Sequence, residues 1–140
     1  MDIPRPIAEY RPIGPFFSPN SMTKSEYVHD IEVKKTNSGK IYEVDGINNP
    51  ELSMQRGSAY LFNINAKKHP FHIATEAEGG NFNSIYTRGV TVPDDDTYQD
   101  RDYAVQKGQL VIIVPQDAPD ALYYQCGLHK GMGNKIKIND

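Results

Sequence analysis

The chain has 140 residues and a formal net charge of −3, with a pI near 5.8; it is long enough for one core and lacks the clustered basic face of a nucleic-acid groove. Hydrophobic residues make up 38%, beside 11 glycines and 10 prolines, so turns are many and the class, by elimination, is all-β. No apolar run approaches the roughly 20 residues of a membrane-crossing helix, the N-terminus shows no apolar signal segment, and the single cysteine, Cys126, excludes an intramolecular disulfide.

Residues 1–27 stand apart. Pro4, Pro6, Pro12, Pro15 and Pro19, with Gly14, exclude a regular helix or central strand, while Tyr10, Phe16 and Phe17 supply apolar anchors. The segment reads as an extended arm that packs along the domain or reaches a neighbour, which makes self-assembly through it an expectation. The domain proper spans 28–140. Strand signals follow at intervals suited to a sandwich. Residues 28–34 alternate, and 40–44 lead into Asp45-Gly46, a turn dipeptide. Residues 51–54 are short; 58–65 carry Tyr60, Phe62 and Ile64 on one face and Leu61 on the other. Residues 70–75 follow His69. The stretch 76–106 is irregular, with Gly79-Gly80, Pro93 and the aspartates Asp94, Asp95, Asp96, Asp100 and Asp102; a loop so long is uncommon, so a short strand is expected within 85–92. The aspartates read as a solvated acidic loop, or as a docking patch for a basic partner. Residues 109–114 form a continuous apolar run, as in a buried central strand. Residues 121–126 and 135–138 complete seven or eight strands.

The most chemically loaded stretch is Cys126-Gly127-Leu128-His129-Lys130-Gly131-Met132. A thiolate, an imidazole and a thioether within seven residues are soft and borderline donors that select copper over magnesium or calcium. Placed after a strand, they converge in a tight loop for which Gly127, Gly131 and Gly133 supply backbone freedom. A further ligand has to come from a neighbouring strand, and His69-Pro70-Phe71-His72 offers it. His69 and His72 point to opposite faces of an extended strand, so one of the two reaches the loop. Two His, one Cys and a weak axial Met make a blue-copper ligand set. Taken alone, Cys126 reads as a small buried hydrophobe, His129 as a surface loop residue and Met132 as core filler; the joint spacing reverses those readings. His29 reads as structural or solvent-exposed.

On these residues the chain resembles the cupredoxins. The run 123–138, Tyr123 to Ile138, is similar to the Cys-x2-His-x2-Met loop and closing strand of amicyanin-type and plastocyanin-like proteins, and His69-Pro70-Phe71-His72 to the first histidine motif of laccase-like domains, whose leading His binds type 1 copper. A wider resemblance covers residues 28 to 138. Tyr42-Glu43-Val44-Asp45-Gly46, the run 56–62, Tyr86-Thr87-Arg88-Gly89-Val90 and the run 117–124 look like cupredoxin-like modules of marine bacteria, phages and algal viruses. The resemblance implies a Greek-key β-sandwich binding one copper through His69, Cys126, His129 and Met132, with His69 rather than His72 as the upstream ligand. It implies an extracellular or periplasmic setting, or a virion. One departure is Pro70, where many cupredoxins carry Asn: without an N–H it gives nothing to the sulfur, which predicts a lowered potential.

The expected function is one-electron transfer with a redox protein partner. Two further readings stand beside it: a structural or interaction module of a viral particle or cell surface with metal absent or incidental, and a copper carrier. A redox enzyme is disfavoured, since the sequence offers no second histidine cluster.

Overall fold

The computed structural model of the chain describes residues 27–93, 98–101 and 103–140, the middle segment by its backbone. Residues 1–26 of the expected arm, and Asp94, Asp95, Asp96 and Asp102 of the acidic stretch, lie outside the described residues. Every described element is a strand: β1 (Val28–Thr36), β2 (Gly39–Val44), β3 (Ile47–Asn48), β4 (Leu52–Gln55), β5 (Ala59–Asn65), β6 (Phe71–Ala74), β7 (Val90–Thr91), β8 (Tyr98–Arg101), β9 (Ala104–Ile113), β10 (Ala121–Cys126) and β11 (Asn134–Asn139). β7 is the short strand expected within 85–92; the two-residue β3 and the strand β8 stand beyond those that the sequence pattern marks.

The strands follow in the order β3-β2-β1-β5-β9-β6-β10-β11-β4, with β7 and β8 also pairing with β9. The order falls into two halves. β9 and β6, which join them, share one pair, Phe71 opposite Val105. The sheet is mixed: β1 with β5 and β11 with β4 run parallel, the other pairs antiparallel. The halves fold face to face. Phe62 and Tyr42 of the first half meet Phe71 of the second at ring-centroid distances of 5.1 and 5.3 Å, and Tyr42 reaches Tyr124 at 6.3 Å. These four rings, all fully buried, are the centre of an all-β sandwich.

Period-2 alternation accounts for most of the burial. In β5, Tyr60, Phe62 and Ile64 are buried and Leu61 and Asn63 lie between them on the half-covered face. Asp45 and Gly46 both take positive φ, 53° and 84°, the geometry of a type I′ turn, and set Val44 opposite Ile47. The apolar run in β9 departs from two-sided burial. Leu110 and Ile112 face the core, but Ile113, paired with Ala59 of β5, alternates to the outer face and is 56% exposed. His29 is structural: its Nδ1 lies 2.8 Å from Asp45 Oδ2 and its ring stacks on Phe62.

Candidate metal centre

Strand register brings the two sequence-distant motifs together. β6 and β10 pair antiparallel with Cys126 opposite Phe71 and Gln125 opposite His72. Phe71 and Cys126 therefore share one face, and His72 with Gln125 the other. His69, two residues before Phe71, returns to the Cys126 side. His72 is buried against the Phe82 ring at 5.2 Å instead.

His69 is held by a turn rather than by β6 itself. Its N–H donates to Ala66 O at 2.9 Å, and Lys68, at φ 71°, donates its N–H to Gln106 Oε1 of β9 at 2.6 Å. Pro70 O accepts from Gly127 N at 3.1 Å, which stitches the histidine turn to the cysteine loop. Beyond Cys126 the loop needs its glycines for different reasons. Gly131 takes φ 77°, whereas a Cβ on Gly127 would overlap the Phe82 ring and one on Gly133 would overlap Tyr124 O.

Cys126 Sγ lies 3.8 Å from His69 Nδ1 and 3.7 Å from His129 Nδ1. The three donor atoms fall within 4.8 Å of one another, with His69 and Cys126 buried and His129 exposed; the imidazole centroids are 4.7 Å apart. Bonds of about 2.3 Å to sulfur and about 2.0 Å to nitrogen, as at zinc, set about 120° apart, separate the two donors by about 3.7 Å. The set thus fits one soft or borderline metal ion. It contains no carboxylate, which excludes the oxygen-rich environment that calcium or magnesium requires. Burial, then the nearby His129 and Lys40, lower the His69 pKa, favouring the neutral imidazole that ligation needs. Leu128 N donates to Cys126 Sγ at 3.4 Å.

Met132, the fourth sequence candidate, is buried at the foot of the same loop. Its carbonyl accepts Tyr42 N–H at 3.0 Å and, with the Asn49 amide nitrogen facing it, a second donor at 2.7 Å. Around the loop lies residues 77–82 of the irregular stretch. Gly80 N donates to Cys126 O at 2.9 Å, Gln125 Nε2 to Ala77 O at 2.8 Å, and Lys130 pairs with Glu78 at 3.0 Å. Tyr42, Asn49, Gln106 and this strap carry no ligand motif. In the sequence, Tyr42 falls in the run 40–44 that leads into the Asp45-Gly46 turn.

Among the described residues, no helix is long and apolar enough to cross a membrane. No known family profile and no curated protein matches the chain. Two solved structures of rusticyanin variants, one with a His replaced by Met and one with a Met replaced by Gln, are similar at 15% identity and a TM-score of 0.38; each alignment covers 79% of this chain and 76% of the other.

Proposed function

We propose that the chain is a cupredoxin-like copper protein that carries one electron through a single type 1 centre formed by His69, Cys126, His129 and Met132. The observation that carries this reading is the trigonal spacing of Sγ and the two Nδ1 atoms, reached by strands that the register locks in place. Bound copper would supply a one-electron couple; Cys126 would give the thiolate, His69 and His129 the imidazoles, and Met132 a weak axial thioether. The chain's own contribution is rigidity. With both residues buried, Cys126 paired to β6 and His69 fixed by its N–H to Ala66 O and by the Tyr42 hydroxyl on its carbonyl, the donors have little room to rearrange between oxidation states.

His129 is the ligand at the surface, and Leu128 beside it is 53% exposed. A redox protein docking there would meet an imidazole edge and an apolar side chain. The same exposed edge favours a second reading, a Cu(I) carrier that hands its ion over at His129.

Loading the purified protein with Cu(II) should give an intense visible thiolate-to-copper absorption that Cys126→Ser abolishes. Tight Cu(I) binding without that absorption would favour the carrier. Absence of binding, together with self-assembly that disappears when residues 1–27 are deleted, would replace both with a structural module.

A further inference from the structure

His129 differs from the other candidate ligands in how it is held. Cys126 ends β10 and His69 sits in a turn tied to Ala66 O, both buried, and the buried Met132 is anchored through its carbonyl. His129 is exposed, partway round the loop between Cys126 and Met132. What reaches its backbone is the strap, residues 77–82. Gly79 pairs antiparallel with Lys130, and a Cβ on Gly79 would stand 3.5 Å from His129 O, one on Gly80 3.7 Å from His129 C. Gly80 N–H donates to Cys126 O at 2.9 Å, so the strap grips the loop on both sides of His129.

The strap is itself rooted on the strand that carries on from His69. Its Phe82 ring lies against His72, and just beyond it Ile85 pairs with Ala74 while Tyr86 N–H donates to Ile73 O at 2.7 Å. One segment thus ties the histidine motif of β6 to the loop that bears the exposed imidazole. We propose that the strap is the positioning element of His129: it keeps this imidazole at bonding distance from an ion on Cys126 and His69, and so sets how slowly that ion leaves. This rests on the copper reading above. An exposed ligand has water to replace the metal, so release starts there unless the backbone that carries it is held.

The test follows Cu(I) leaving the loaded full chain for a chromophoric chelator. Gly80 has φ 77°, and a Cβ there would meet Lys130 Cγ at 2.8 Å; Gly57, in the β4–β5 turn, has φ 87°, and its Cβ would meet Gln116 Nε2 at 2.9 Å. Alanine therefore imposes a like strain at both positions, on the strap in one case and away from it in the other. Gly80→Ala should release Cu(I) about tenfold faster than wild type, the size typical of residues that support a metal ligand, and Gly57→Ala should release it at the wild-type rate. In a His129→Ala background, Gly80→Ala should add nothing, because the ligand it positions is gone. Wild-type protein gives a measurement that needs no variant. Cu(I) loading should slow hydrogen exchange at Gly80 N–H more than at Gly57 N–H, which donates to Val114 O at 2.7 Å, since metal and strap stabilise the same loop. Equal release by Gly80→Ala and Gly57→Ala, an undiminished effect without His129, or equal slowing at the two amides overturns the proposal and leaves the copper reading standing. Wild-type protein that takes up no copper removes both.

Discussion

Single atoms around Cys126 Sγ decide the chemistry of this site. The sulfur's backbone neighbourhood holds one amide donor from Leu128 and, at position 70, a proline that can offer none. Pro70→Asn should therefore raise the reduction potential of the copper-loaded protein, read by voltammetry; an unchanged or lower value would show that the new N–H does not reach the sulfur. The ligand candidates were legible as residues because thiolate, imidazole and thioether at three-residue spacing are rare together. Parity said only that one of His69 and His72 reaches the loop and the resemblance favoured His69; the pairing of Cys126 with Phe71 supplies the physical basis. The supporting residues were not legible. Tyr42, Gln106 and Asn49 act through contacts made by tertiary packing, and nothing in their local pattern separates them from other strand residues.

Elements were readable where a local signal ends them. β10 (Ala121–Cys126) stops where the glycine-containing loop begins, and the β2–β3 hairpin turns at Asp45-Gly46, where both residues have positive φ. β9 was readable only from its apolar half. Its first part, Ala104 to Gly108, is set by pairing with β8, β6 and β5, and no periodicity within it announces that. The strap over the ligand loop belongs to the same class, since its hold on Gln125, Cys126 and Lys130 is mostly backbone. Its tightest contact is steric. Gly127→Ala should force Phe82 outward and lower the stability by about 1–3 kcal/mol, as overpacking does, measured by denaturant unfolding. Glu78→Ala removes only an exposed ion pair and should change stability by less than about 0.5 kcal/mol.

At the scale of the whole molecule, two half-sheets that share one strand pair depend on side chains to stay closed. Phe62 lies at that seam, against Phe71 on one side and His29 on the other. Phe62→Ala should cost about 3–5 kcal/mol, seen as a large fall in the unfolding midpoint. Since Phe62 is not among the candidate ligands, the folded fraction should keep its thiolate-to-copper absorption. The single thiol of the chain has no exposed surface, so an alkylating reagent added to metal-free protein must wait for the structure around it to open. Its labelling rate then becomes a clock for that opening, and any bound ion, by slowing that clock, reports its own affinity without a spectrum.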